Sequence, residues 1–190
     1  MFYSGFETNI GQDKLYLNLS SAAGLYENGT GKDLELYHDG TNSIINNTTG
    51  RAEGFASFLR IEPTVGVIEV GYIAMSPLLQ KTRVATEAMY LMMAHVFDDL
   101  GYRRYEWKCD NANAKSRGAA ARLGFTFEGV FRQCTIYKGR NRDTAWFSIL
   151  DSEWPALKAA YQEWLDPDNF DGDGQQKKAL SGLTKAALSK

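Results

Sequence analysis

From Arg51 onward the apolar and polar positions fall into runs long enough to predict elements. GFASFLRI (54–61) and GVIEVGYIAM (66–75) are rich in β-branched and aromatic residues and flank the turn-like EPTV, which predicts two strands joined by a hairpin-type connection. From Thr82 to Leu100, apolar residues at Ala85, Met89, Met92, Val96 and Leu100 keep helical spacing, and Gly101 supplies a stop. YRRYEWKCD (102–110) alternates Tyr105, Trp107 and Cys109 with Arg104, Glu106 and Lys108, the period of a strand with a solvated charged face. A second helix is predicted over 114–123, capped by Asn113 and closed by Gly124. Two further strands, 125–137 and 143–150, flank the turn-like KGRNR, and SEWPALKAAYQEWL (152–165) is helical. Beyond Asp166 the composition predicts a loose tail or a short surface helix.

The first fifty residues differ. LYENGTG (25–31) and LYHDGTN (36–42) repeat each other, each placing an Asn-Gly or Asp-Gly pair after an aromatic, which predicts short hairpin strands at 15–19, 24–27, 33–38 and 43–46. So thin a β segment buries little by itself and is expected to pack on the remainder or on copies of itself. The fold class is therefore mixed, α+β, with a hairpin-rich segment in front. The predicted organisation is 1–50, 51–165 and a polar tail 166–190.

Charge and cysteine content narrow the chemistry. With Lys plus Arg at 21 against Asp plus Glu at 23, the net charge of -2 offers no field for nucleic acid or anionic lipid. Cys109, Cys134, His38 and His95 have neither disulfide-framework nor metal-ligand spacing, so no metal is expected. No basic-then-apolar leader and no membrane-length apolar run is present, which points to the cytoplasm, and the expected partners are small molecules or proteins. The aromatics Trp107, Trp146, Phe147, Phe125 and Phe127, alternating on strands, read as core.

One stretch carries candidate chemistry. QKTRVATEA (80–88) lies between a strand and a helix, so the first-turn amides of Arg83, Val84, Ala85 and Thr86 are expected to converge, with the helix dipole, on a bound anion. Arg83 need not obstruct them if it already has helical geometry, because its side chain then points away from the amides.

IAMSPLLQKTRVAT, NAKS (113–116), LGF (123–125) and RNRDTAWFSIL (140–150) together resemble the acetyl-CoA-binding half of the GNAT superfamily of N-acetyltransferases, within it the branch related to ribosomal-protein N-terminal acetyltransferases, over residues 50 to 175. In the family's phosphate motif Gln80 and Ala85 match, and Arg83 takes a glycine position. The resemblance implies a mixed, largely antiparallel twisted sheet with flanking helices, and transfer of an acetyl group from acetyl-CoA to an amine acceptor. It assigns the pantetheine arm to the backbone of Ile73, Ala74 and Met75. The phosphates go to Gln80, Lys81, Thr82, Arg83, Val84, Ala85 and Thr86. It implies Ser116 near the coenzyme sulfur, Asn113 on the pantetheine or as a cap, and Glu69 as general base, with Glu106 and Asp143 in reserve. The strand and helices that open the family's fold have no counterpart in this pattern. In their place DLELYHDGTNSIINNTTG is similar to the β repeats of phage tail-fibre proteins. That likeness implies an alternative, a virion-associated protein with an acetyltransferase-like module, and self-association through residues 15–50.

Overall fold

The computed structural model describes residues 17–18, 34–38, 43–47 and 52–189, with side chains from Glu53 to Ser189. The predicted strand 24–27 lies outside the described residues. Two compact units result, one ending at Phe58 and including Tyr72–Met89, the other comprising Leu59–Gly71 and Tyr90 onward.

In the first unit, β1 (Leu17–Asn18), β2 (Leu34–His38), β3 (Ser43–Asn47) and the start of β4 (Ala52–Glu62) follow one another as antiparallel neighbours. The register Leu36↔Ile45 of β2 with β3 agrees with the hairpin expected from the Asp-Gly pair between them, and β3 also pairs β4 through Ile44↔Phe55. The unit also holds the end of β5 (Val67–Met75) and the first turns of α1 (Arg83–Ala94). There Leu79, Ala85 and Ala88 are buried with Met75 and Val84 packed against them. Gly54 permits a close approach: a Cβ at this position would lie 2.9 Å from the Ala74 carbonyl oxygen and 2.8 Å from Leu79 Cδ2.

In the second unit the end of β4 and the start of β5 are followed by β6 (Arg104–Asp110), β8 (Arg140–Leu150) and β7 (Thr126–Tyr137), in that spatial order. β5 and β6 are parallel, while β6/β8 and β7/β8 are antiparallel. The odd residues of β6 face the apolar core: Tyr105 is fully buried, and Trp107 and Cys109 are buried with it. α2 (Ala114–Arg122), α3 (Trp154–Leu165) and α4 (Leu180–Leu188) supply the helical layer, Leu157 and Tyr161 being wholly inaccessible. The periodic run from Thr82 is helical as far as Asp99, the last turn being a π-turn, His95–Asp99, in which Leu100 N–H reaches the His95 carbonyl.

The LGF motif has a packing explanation. Gly124 has φ +90, and a Cβ there would sit 2.7 Å from Leu157 Cδ2, so conformation and space both require glycine. Tyr161 Oη donates to the Leu123 carbonyl at 2.9 Å, and Phe125 packs on Tyr105 and Trp107 with ring centroids 5.6 Å away in each case.

Three expectations are corrected. Phe127, expected in the core, is 48% exposed, because β7 is the edge strand of the sheet and none of its residues is buried. Arg104 and Lys108, expected to be solvated, are largely buried in ion pairs described below. The tail, expected to be loose or a short surface helix, carries the helix α4, but it is docked: Leu180 and Thr184 are buried, and Thr184 Oγ1 donates to the Arg122 carbonyl at 3.2 Å. The apolar spacing Leu180, Leu183, Ala187 was outweighed by the polar composition around it.

Gly124→Ala is expected to lower the unfolding free energy by about 2 kcal/mol, since overpacking and the positive φ both oppose it. The shift in denaturant midpoint at unchanged m-value checks it.

Candidate active site

The helix entrance is built by Thr82. Its hydroxyl accepts from the Ala85 amide at 3.1 Å and donates to the Leu79 carbonyl at 2.7 Å, while its carbonyl accepts from the Thr86 amide at 3.2 Å. Thr82 is thus the N-cap of α1. This corrects the expectation of four converging amides at Arg83–Thr86. Thr86 is the first residue inside the helical bonding pattern and Ala85 is capped, so both already have acceptors. The Val84 amide has no hydrogen-bond partner among the described residues and remains available at the positive end of the helix.

The neighbouring residues of the motif have other contacts. Gln80 Nε2 donates to the Met75 carbonyl at 2.9 Å, which pins the loop to the end of β5 and occupies one lone pair of a carbonyl assigned to a coenzyme arm. Lys81 adopts φ +63 to bring the chain round into the helix. Arg83 lies beside Glu87 one turn on: burial pushes the Glu87 carboxyl up and the Arg83 guanidinium opposes it. The arginine therefore acts along the helix, as its helical geometry requires.

In the second unit, Ser116 lies in the first turn of α2. Its amide donates to Asn113 Oδ1 at 3.0 Å, so Asn113 is the cap that the sequence predicts. Its Oγ accepts the indole N–H of Trp107 at 3.0 Å, and no other side-chain bond of Ser116 occurs among the described residues. The hydroxyl proton is uncommitted. Asn111, three residues before α2, carries a buried Oδ1 without a partner among the described residues. A buried acceptor left unmade costs on the order of 1–3 kcal/mol, which an amide N–H of a bound molecule would recover. The parallel ladder of β5 with β6 runs from Val67↔Arg104 to Val70↔Trp107, although β6 continues to Asp110.

Glu69 stands on the other side of this sheet. It registers against Glu106, whereas Ser116 bonds Trp107, and adjacent residues of a strand face opposite ways. Glu69, the general base that the resemblance implies, is 3% exposed, and its Oε2 is bonded by both Arg60 Nη1 and Lys108 Nζ, the latter at 2.9 Å. Lys108 also bonds Glu106 at 2.6 Å and lies over the Trp146 ring, 4.0 Å from its centroid. Arg104 continues the row, bonding Glu106 at 2.7 Å and holding Glu128 through two bonds of 2.7 and 2.6 Å, while Ser148 Oγ donates to Glu128 at 2.7 Å. Both cations on Glu69 use the same oxygen, and Oε1 is left without a bond from the protein among the described residues. Of the reserve carboxylates, Glu106 is consumed by Lys108 and Arg104. Asp143 Oδ1 accepts the Gln133 amide at 2.7 Å inside the β7 bulge.

The row sets pKa values. The bonds from Arg104 hold the Glu128 carboxyl down at about 2. Burial pushes Glu106 up, but the bonds from Lys108 and Arg104 outweigh it and leave the carboxyl below its ordinary value. Sequence reasoning missed the roles of Lys108, Trp107 and Asn111. The first two alternate correctly but look like face and core, and only the polar run DNAN before α2 hinted at the third.

A family model, the acetyltransferase (GNAT) domain, matches residues 16–126. The chain belongs to the GNAT acetyltransferase family. Among solved structures, this GNAT chain is similar to a GCN5-related N-acetyltransferase from Brucella melitensis, at 56% identity over 76% of this chain and 66% of that one, with a TM-score of 0.73. It is also similar to a probable GNAT-family acetyltransferase from Chromobacterium violaceum ATCC 12472, at 44% identity over 66% of this chain and 60% of the other, TM-score 0.57. The match thus spans less than two thirds of the length of either relative. No curated protein matched. The family match, starting at residue 16, runs through the whole segment likened to fibre repeats and gives neither that likeness nor self-association through residues 15–50 any support. Among the described residues of this GNAT chain, no helix is long and apolar enough to cross a membrane, and no group of three or more His, Cys, Asp or Glu could hold a metal.

Thr82→Ala is expected to cost about 1 kcal/mol of stability through the lost cap, measured by thermal or denaturant unfolding. Because Glu128 titrates lower folded than its ordinary 4.5, its contribution is present above about pH 4.5 and is lost as pH falls toward 2. Glu128→Gln should flatten the acid limb of a stability-versus-pH curve in that window.

Proposed function

We propose that the chain is an N-acetyltransferase that moves an acetyl group from acetyl-CoA directly to a primary amine, either a protein N-terminus or a small molecule. The observation that carries the reading is the hydroxyl of Ser116, fixed at the start of α2 with its proton uncommitted, on the opposite face of the sheet from the carboxylate of Glu69. Acetyl-CoA supplies an activated thioester. The buried acceptor of Asn111 fits the amide-bearing arm of such a molecule, and the Val84 amide at the start of α1 fits a phosphate.

In this reading Asn113 holds the first turn of α2 so that Ser116 Oγ faces the sulfur, and Ser116 donates a hydrogen bond to it. Glu69, through Oε1 and a water, accepts the proton that the amine loses, while Arg60 and Lys108 hold its other oxygen in place. Backbone groups of Ile73, Ala74 and Met75 take the pantetheine arm. Gln80, Lys81, Thr82, Arg83, Val84, Ala85 and Thr86 form the phosphate segment, in which Val84 supplies the open amide and Thr82 the cap.

Titration calorimetry is expected to show acetyl-CoA binding, and free-thiol release with a panel of N-terminal peptides and polyamines is expected to reveal turnover. Ser116→Ala should lower kcat by at least about tenfold with the acetyl-CoA dissociation constant within about threefold. An equal loss in both would make Ser116 a binding residue, and no heat of binding at millimolar coenzyme would remove the transferase reading.

A further inference from the structure

We propose that Trp107 is the positioning residue for acyl transfer. By donating its indole N–H to Ser116 Oγ it fixes the serine oxygen as an acceptor and reserves the hydroxyl proton for the sulfur of the departing coenzyme. This rests on the reading of Ser116 given above and adds a residue whose pattern marks it only as core.

The geometry limits what each group can do. An indole nitrogen is a donor only, so the 3.0 Å contact has one direction: Trp107 gives and Ser116 receives. A serine in the first turn of a helix commonly turns its hydroxyl toward a nearby backbone carbonyl, which would consume the proton. Here no such bond of the hydroxyl occurs among the described residues, and the Ser116 amide donates to Asn113 Oδ1. The oxygen is therefore held from two sides, by the helix cap and by the indole, and the remaining freedom is rotation of the O–H.

Trp107 is itself rigid. It is 5% exposed, meets Phe125 edge-on at 5.6 Å and 62°, and has its backbone in ladders with Val70 on one side and Phe147 on the other. The indole cannot follow Ser116 if the serine moves, so it acts as a fixed reference for the hydroxyl.

During transfer the new C–N bond forms and the C–S bond breaks; the amine's proton passes through water to Glu69, and the coenzyme leaves as a thiolate that takes its proton from solvent water. Ser116 changes neither its own proton count nor that of Trp107. It offers a hydrogen bond that strengthens as charge builds on sulfur, so the interaction is worth most in the transition state. A residue that orients that bond should therefore affect kcat and leave coenzyme binding nearly unchanged.

Trp107→Phe keeps a buried ring and removes the N–H. Expected is a kcat lowered about tenfold, with KM for acetyl-CoA within about threefold, and a Trp107→Phe/Ser116→Ala double variant no slower than Ser116→Ala alone. Full kcat in Trp107→Phe while Ser116→Ala is impaired, or losses that multiply in the double variant, overturns the role of Trp107. An unimpaired Ser116→Ala overturns instead the reading of Ser116. A second measurement needs neither turnover nor the Trp107 variant. In the full chain labelled with 15N-tryptophan, the four tryptophans give four indole signals, and coenzyme A should move the same signal that Ser116→Ala moves. With coenzyme A bound by calorimetry, an indifferent signal overturns the proposal; absence of binding overturns the function on which it rests.

Discussion

The alternation of β6 is the constraint on which the rest depends. A strand presents successive side chains to opposite faces, so a seven-residue element must serve two environments at once. Tyr105, Trp107 and Cys109 are buried against helices, and Arg104, Glu106 and Lys108 run along the other side as a row of charges. A slip of one residue would bury the charges in the core and put Trp107 among the carboxylates. The same alternation separates the two candidate chemical groups, since Ser116 is tied to an odd residue and Glu69 registers with an even one.

The charged row explains how ionisable groups are tolerated with so little exposure. Each carboxylate of Glu69 and Glu106 meets two cations, and each of Arg104 and Lys108 meets two carboxylates. Such pairing offsets desolvation rather than adding a large net stability, because taking both members of a pair out of water is costly. Its consequence is positional. Glu69 has one oxygen anchored by two cations, which orients the other, and removing either cation would leave a buried carboxylate less well compensated.

Much of this fold was legible from residue order. Strand periods, the α1 and α2 spans, the Asn113 cap and the need for Gly124 follow from local rules that the chain obeys residue by residue. The charge network was not, because Arg104 and Lys108 have the spacing of a solvated face, and nothing local says that Glu69 and Glu128 arrive from neighbouring strands to meet them. The helix entrance was legible only in part. A strand-to-helix junction was expected, but Thr82 proved to be its cap, which moved the first bonded amide by one residue and removed two of four expected donors. Trp107 illustrates a different limit: burial and hydrogen bonding are separate properties of one side chain, and pattern reports only the first.

The central claim is that the open polar groups at the start of α2, the Ser116 hydroxyl and the buried Asn111 oxygen, receive acetyl-CoA. Titrating acetyl-CoA into the 15N-labelled full chain and following backbone amides tests it most directly. The account predicts saturable shifts at Asn111 and Ser116 with one common dissociation constant. Saturable shifts confined to other parts of the chain, or none at millimolar coenzyme, would contradict it.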